Sequence, residues 1–337
     1  MTASATGHSG AASLEFRGVT KRYDPGTNGP GAVNDLSFHV PAGAICVLVG
    51  PSGCGKTTSL KMVNRLIEPS AGEILLDGVN VQSQPVTALR RRIGYVIQQV
   101  GLFPHLTIGR NVAVVPGLEG WSKARQRART LELLSLVGLD PARYENRYPT
   151  QLSGGERQRV GVARALAADP PLMLMDEPFA AVDPIVRERL QDEFLRLQRE
   201  LAKTILFVTH DIDEAIKMGD LIAVMAEGGH LAQFGQPDDI LARPASDFVA
   251  RFVGADRGLK RLSLRTIADV EVEPLGNIDG LPAFPHDTKL RDALAMLLVA
   301  DTRGGVALDA DGRPRGVVTV DGIACALGDA VPLRTAG

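Results

Sequence analysis

AICVLVGPSGCGKTTSLKMVNRL, residues 44 to 66, decides the fold of this chain. A short apolar run (AICVLVG, 44 to 50) enters a glycine-rich turn and leaves it through text of helical character, the pattern of a strand, a loop and a helix. GPSGCGKT fits G-x-x-x-x-G-K-[ST]. In that pattern the glycines let backbone N–H groups wrap phosphates, Lys56 reaches the β and γ oxygens of a nucleoside triphosphate, and Thr57 supplies a hydroxyl to Mg2+. Such a string also arises by chance, and its position between an apolar strand and a helix is what makes the reading specific.

Moving outward, LMLMDEP (172 to 178) is a second buried-strand candidate ended by proline, and TILFVTHD (204 to 211) is a third. Between them Val186, Leu190, Phe194, Leu197 and Leu201 recur at helical spacing on an otherwise charged segment. This order predicts an α/β fold with parallel strands covered by helices. Residues 121 to 137 are helical and charged, and PARYENRYPTQLSGG restarts the chain through turn residues. Residues 90 to 165 or so read as a mostly helical insertion carrying LSGGE (152 to 156), a serine and two glycines opening a helix. A helix N-terminus of that kind is itself an anion site, so one chain carries two phosphate grips.

The acids of LMLMDEP arrive at a strand end, where Asp176 can hold the metal through water and Glu177 can polarise an attacking water. His210 ends the next strand, in VTHD, in reach of a γ-phosphate by spacing alone.

Composition narrows the class. At 337 residues, 45% hydrophobic and 23% charged, the chain is a folded protein with room for one large domain and an appendage. Lys+Arg 37 against Asp+Glu 39 gives −2, so no overall field recruits nucleic acid, and the basic run ARQRAR (124 to 129) reads as a solvated helix face. Cys46, Cys54 and Cys325 are odd in number, widely spaced and without metal-ligand spacing to histidine, a reduced cytosolic pattern. The opening MTASATGHSGAAS has neither a basic n-region nor an apolar h-region, and no apolar run approaches the eighteen or so residues of a membrane span. Any membrane connection is expected through a partner, at the cytoplasmic face.

Together GPSGCGKTT, YVIQQVGLFPH, LSGGERQRVGVARAL, LMLMDEP, AAVD and VTHD, in this order and spacing, resemble the nucleotide-binding subunit of ATP-binding cassette (ABC) transporters over residues 14 to 254. The resemblance implies a P-loop NTPase core with a helical subdomain and an antiparallel β portion. It implies ATP and Mg2+, and a head-to-tail dimer in which the LSGGE of one subunit closes on the ATP held by the P-loop of the other. Gly50, Pro51, Ser52, Gly53, Cys54, Gly55, Lys56, Thr57 and Thr58 then cradle phosphates and metal. Gln98, three residues before LFPH, senses Mg2+ and attacking water, and Tyr23, in TKRYDPG, stacks on adenine. Ser153, Gly154, Gly155 and Glu156 face the other subunit's ATP, and Asp183 in AAVD links the two sites. The usual pattern there is S/A-A-L-D, from which Val182 is a mild departure. Cys54 occupies a variable position where bulky alkylation is expected to block nucleotide and ATP to protect.

GLFPHLTIGRNVAVVPGL (101 to 118) is expected to touch membrane-spanning permease partners. Its wording resembles importers of the quaternary-ammonium osmoprotectants glycine betaine, carnitine and choline, whose solute is held by an external binding protein. Amino-acid uptake and a soluble cassette acting on nucleic acid or ribosomes are the rivals. The last loses ground because this sequence shows no long coiled-coil insert, no second cassette in tandem and no basic surplus.

Before and after the cassette lie a tail expected to be disordered (1 to 13) and a regulatory domain (255 to 337). DTKLRDALAMLLVADT (287 to 302) places Leu290, Ala293, Leu294, Leu297 and Leu298 on one helical face, with Asp287 or Thr288 as cap. GVALDADGRPRGVVTVDGI then reads as two short strands about an Asp-Gly turn, followed by a small helix. Residues 285 to 330 or so resemble a single repeat of the cystathionine-β-synthase (CBS) type, which normally comes in pairs.

Overall fold

The computed structural model describes residues 10–23, 31–97, 101–180, 182–276 and 278–328. They form two compact units, one ending at Phe234 and the other beginning at Gly235, ahead of the 254/255 boundary that the change of sequence texture suggests.

In the first unit, β3 (Ile45–Val49), β6 (Ile93–Val96), β7 (Leu172–Asp176), β8 (Thr204–Thr209), β9 (Leu221–Ala226) and β10 (His230–Gly235) build a sheet in the order β10-β9-β3-β8-β7-β6. Four successive pairings, β9 with β3, β3 with β8, β8 with β7 and β7 with the edge strand β6, are parallel. β3, β7 and β8 are buried along their whole length, as parallel strands covered on both faces must be. A second sheet, β2-β1-β4-β5, is antiparallel, from β1 (Leu14–Lys21), β2 (Val33–Val40), β4 (Ala71–Leu76) and β5 (Val79–Asn80). Phe16 and Phe38 stack across it at 4.5 Å and join one core with Leu48, Leu60, Leu174 and Leu206.

The helices of this unit are α1 (Lys56–Val63), α2 (Val86–Arg91), α3 (Ile108–Val112), α4 (Val114–Leu118), α5 (Lys123–Leu136), α6 (Pro141–Tyr144), α7 (Gly154–Leu166), α8 (Pro184–Leu201) and α9 (Ile212–Met218). The helical insertion expected from about 90 carries no strand over residues 101–166. Its start at 90 is too early, however: Ile93–Val96 pairs with β7 and belongs to the sheet, four residues being too short a run to betray itself by periodicity. Residues 10 to 13 are also not a loose tail. The Ala12 amide donates to the Pro171 carbonyl at 3.2 Å and the Ser13 amide to Asp77 Oδ1 at 2.9 Å. In α8, Leu190, Phe194 and Leu197 are buried, whereas Val186 is 40% exposed and leaves the predicted stripe.

The second unit contains α10 (Pro237–Ala242), α11 (Asp247–Val253), α12 (Arg257–Leu262), β11 (Ala283–Phe284), α13 (Leu290–Val299), β12 (Gly304–Leu308), β13 (Pro314–Thr319) and α14 (Val320–Cys325). β11 lies parallel to β12, which pairs antiparallel with β13. The Asp309 carboxylate holds the turn between β12 and β13, accepting from the amides of Asp311 and Arg313. Two expectations for α13 fail. Its N-cap is Lys289, with no side-chain cap, not Asp287 or Thr288. Leu290, Ala293 and Leu297 are buried and Leu294 packs beside them, but Leu298 is 68% exposed, because a ten-residue helix on a three-stranded sheet covers a narrower stripe than the spacing admits. Phe284 is the largest side chain of this core. Phe284→Ala is expected to destabilise the unit by about 3–5 kcal/mol, read as lost hydrogen-exchange protection at β12 and β13 amides.

Candidate functional site

The sheet order brings the sequence-predicted residues together. β3 neighbours β8 and β8 neighbours β7, with Val49 opposite Thr209 and Val208 opposite Asp176. The loop after β3, the acids ending β7 and the histidine following β8 therefore emerge side by side at the carboxyl ends of parallel strands, where open α/β sheets hold ligands.

The loop itself is shaped by its glycines. Gly53 (φ 82°) and Gly55 (φ 94°) are left-handed, and a Cβ on Gly55 would strike the Ala32 carbonyl. Gly55 is the N-cap of α1 and gives it no side-chain cap. Of the first amides of α1, that of Lys56 turns to the Cys54 sulfur, and that of Thr57 is left to an external acceptor with the positive end of the helix dipole behind it. Lys56 is buried, and its Nζ donates to the carbonyls of Gly50 (2.7 Å) and Pro51 (2.8 Å), folding the loop into a ring. Cys54 does not line this ring from outside, as its place in the string suggests. It is 1% exposed, its Sγ lies 3.7 Å from Lys56 Nζ, and burial pushes its thiol up from the usual range.

Thr57 Oγ1 donates to Asp176 Oδ1 at 3.0 Å. Burial pushes the Asp176 carboxyl up, with the Glu177 charge adding to the effect and the Thr57 bond opposing it. A hydroxyl and a carboxylate are hard oxygen donors, the kind a small divalent cation takes while keeping waters and phosphate oxygens as its remaining ligands. Among the described residues no group of three or more His, Cys, Asp or Glu is placed to hold a metal by itself.

Glu177 is held in the left-handed region (φ 45°), with its amide donating to the Val208 carbonyl at 2.9 Å. A non-glycine residue there costs about 1–2 kcal/mol, the kind of backbone strain that collects at functional sites. Its Oε1 lies 3.0 Å from His210 Nδ1. Asp211 fixes the turn that carries His210: its amide donates to Thr209 Oγ1, and its carboxylate caps α9 by accepting from the amides of Asp213 and Glu214.

Tyr23 is 62% exposed, its Oη 3.4 Å from Thr58 Oγ1 and its ring centroid 5.3 Å from Lys21 Nζ, which leaves a ring face beside the loop. Gln98 lies outside the described residues.

Ser153, Gly154, Gly155 and Glu156 open α7. Ser153 Oγ accepts from the Glu156 amide (3.3 Å) while Glu156 Oε2 accepts from the Ser153 amide (2.7 Å), a reciprocal capping box. The box takes the third amide of the helix and leaves those of Gly154 and Gly155. Among the described residues no hydrogen bond or ion pair joins these four residues to the loop 50–58. Asp183 is likewise apart: it caps α8 by accepting from the Val186 amide at 3.1 Å. A Cβ on Gly155 would touch Val186 and Leu190, which gives Val186 its place at the junction of α7 and α8. One participant carried no signal in the sequence. Tyr144 Oη donates to Glu156 Oε1, and that bond is the first cause holding the Glu156 carboxyl below its usual value, ahead of the Ser153 amide.

A family model described as ABC transporter matches residues 33–180. The chain is 50% identical over 306 residues to the osmoprotectant import ATP-binding protein OsmV of Salmonella typhimurium, across 90% of this chain and 78% of that protein. It belongs to the ABC transporter family. It is also 46% identical to the glycine betaine uptake system ATP-binding protein YehX of Escherichia coli, across 90% of this chain and 97% of that protein. The choline transport ATP-binding protein OpuBA of Bacillus subtilis is 54% identical across 72% of this chain and 63% of that protein. Among solved structures, a dimeric ATP-binding cassette in a post-hydrolysis state with ADP and Pi is 34% identical, with a TM-score of 0.60, across 66% of this chain and 98% of that one. This chain therefore has the fold of an ABC ATPase.

The three thiols of this ABC protein differ in access: Cys46 and Cys54 are buried and Cys325 is exposed. The folded chain is expected to yield about one thiol promptly to a disulfide reagent, Cys325, and the other two only on denaturation. Mass mapping of the labelled residues checks this; prompt, ATP-protected labelling of Cys54 would contradict its burial.

Proposed function

We propose that the chain is the ATP-hydrolysing subunit of an importer for quaternary-ammonium osmoprotectants such as glycine betaine, carnitine or choline. The observation that carries the reading is the Thr57–Asp176 and Glu177–His210 pairs set beside an uncapped helix N-terminus, in a chain half identical to an osmoprotectant import ATP-binding protein.

In this reading Gly50 to Thr58 cradle the triphosphate, Lys56 turns from the Gly50 and Pro51 carbonyls to phosphate oxygens, and Tyr23 offers its ring to the base. Thr57 and Asp176, with Gln98, would hold Mg2+, which would supply Lewis-acid polarisation of the phosphoryl oxygens. Glu177 takes the proton of the attacking water as general base, and His210, fixed by the Asp211 turn, steadies Glu177 and donates toward the γ-phosphate. Ser153, Gly154, Gly155 and Glu156 grip the ATP of a second copy, so that triphosphate closes the dimer and its loss opens it; the two Asp183 loops link the sites. Closure powered by contacts present only with the γ-phosphate is a population shift. The dimeric state of the related cassette supports this arrangement. The exposed Phe103 and the loop around it suit a permease subunit, which would hold the chain peripherally at the cytoplasmic face; among the described residues no helix is long and apolar enough to cross a membrane. The unit from Gly235 onward, with its β11-α13-β12-β13-α14 order, supports a single CBS-like regulatory repeat.

Glu177→Gln is expected to bind ATP and dimerise while turnover falls by about 10²–10⁴-fold; unchanged turnover removes the base assignment. With EDTA in place of Mg2+, hydrolysis by the unmodified chain should stop while a fluorescent ATP analogue still binds. For the solute, the external binding protein co-purified with the assembled importer should retain a quaternary amine; an amino acid in its place would overturn the osmoprotectant reading.

A further inference from the structure

Tyr144 stands at the end of α6, 7% exposed, with the guanidinium carbons of Arg143 and Arg147 lying 5.5 and 5.0 Å from its ring centroid. Its hydroxyl donates to one oxygen of Glu156, and the other oxygen of the same carboxylate accepts from the Ser153 amide. The hydroxyl of Tyr144 is thus one carboxylate away from the backbone of the serine that opens α7.

The tyrosine is in turn fixed from the opposite side. The first two amides of α3, which a helix cannot satisfy from within, donate to this segment: Ile108 to the Arg147 carbonyl at 2.8 Å and Gly109 to the Glu145 carbonyl at 2.9 Å. A Cβ on Gly109 would meet Glu145 Cγ at 2.9 Å, so the approach is close. Glu145 is also paired with Arg127 of α5 at 3.1 Å. From α3, the fully buried Asn111 side chain bonds the Phe103 amide and the carbonyls of Phe103, Leu106 and Thr107, welding the exposed loop 103–107 to the helix. Hydrogen bonds thus join the loop to α3, α3 to the segment around Tyr144, and Tyr144 through Glu156 to Ser153, each with one end buried or half-buried.

We propose that Tyr144 is a positioning residue: through Glu156 it sets the direction in which Ser153 meets the triphosphate of a second copy, and it ties that direction to the placement of α3 and the loop 103–107. The inference rests on the two-copy reading of Ser153 to Glu156. Glu156 alone completes the capping box, so α7 needs no tyrosine to begin. What the tyrosine adds is a fixed azimuth for the carboxylate, since a glutamate bonded only to its own N-cap can still turn about its terminal bonds.

The test uses the full chain carrying Glu177→Gln and reads, by light scattering, the ATP concentration that gives half-maximal dimer in Mg2+. Adding Tyr144→Phe keeps the ring beside its two arginines and removes only the hydroxyl. That concentration is expected to rise about tenfold, the scale of one hydrogen bond to a charged acceptor. Binding of a fluorescent ATP analogue to the dilute monomer should be unchanged, because the loop 50–58 is not touched. Glu156→Ala should weaken dimerisation as well, and joining Tyr144→Phe to it should add nothing further, since the hydroxyl acts only through that carboxylate. Equal dimerisation with and without the hydroxyl, or losses that simply add, would overturn the proposal while leaving the two-copy reading intact. Should Tyr144→Phe prove unstable, Gly109→Ala disturbs the same connection from α3, since a Cβ there meets Glu145 Cγ at 2.9 Å; it should raise the ATP concentration for half-maximal dimer with analogue binding unchanged, and no rise would also overturn the proposal. If the Glu177→Gln parent itself stays monomeric in ATP and Mg2+, the two-copy reading falls and the proposal with it.

Discussion

Helix α1 starts on a glycine that has no side chain to cap it, and much of the first unit is arranged around the donors this leaves. Amides at a helix start, with a dipole behind them, are satisfied by water, by a side chain or by an anion. Here the local side chain is excluded because a Cβ on Gly55 has nowhere to go against Ala32. Lys56 adds a buried ammonium whose hydrogen bonds are to neutral carbonyls, a costly arrangement for a charge in the interior. Both features are relieved by one ligand type, a phosphate. The buried runs of β3, β7 and β8 have little choice of neighbours, and their pairing then delivers Asp176, Glu177 and His210 to the same edge.

The strain at Glu177 belongs to the same economy of positions. β7 ends at Asp176, and the chain must turn at once, so that consecutive acids point in different directions. The left-handed backbone of Glu177, pinned by the Val208 carbonyl, achieves this: Asp176 reaches Thr57 while Glu177 reaches His210. Burial makes Asp176 a reluctant anion that a cation would relieve, whereas Glu177 stands at the rim. Two adjacent carboxyls thereby acquire two tasks.

How far the sequence foretold this depends on what each signal encodes. The strand, loop and helix around Lys56 were legible because apolar run, glycines and lysine are read at fixed spacing, and the same held for LMLMDEP and for the serine and glycines that open α7. Facing was not legible. Periodicity put Val186 and Leu298 on apolar stripes, yet which flank of a helix its neighbour covers is decided by segments remote in sequence. Cys54 looked poised toward phosphates because a string carries no information about which way a loop residue turns; burial beneath the loop decides that. IGYV (93 to 96) is a strand because β7 is beside it, not because four residues declare it. Tyr144 was invisible for the same reason: it acts on Glu156 across a turn, with no spacing rule between them.

The two helix starts are therefore unlike in a way that matters for assembly. At α1 the cap is missing and the lysine is inside, so the loop is a complete cradle within one chain. At α7 the cap is present and consumes the serine's acceptor for Glu156, leaving its O–H and the amides of Gly154 and Gly155 to meet something from outside. A site of three donors on an exposed turn is weak alone, because nothing behind it fixes the geometry and little excludes water. On the two-copy reading, its strength would come from the partner's phosphate and from whatever stiffens the turn. The bonds from Glu156 to Tyr144, and from the Tyr144 segment to α3, supply that stiffness from a helix whose other side faces the exposed loop 103–107. A turn so anchored can make its grip depend on how that loop is seated, which is the coupling that a motor driven by making and breaking one phosphate contact requires.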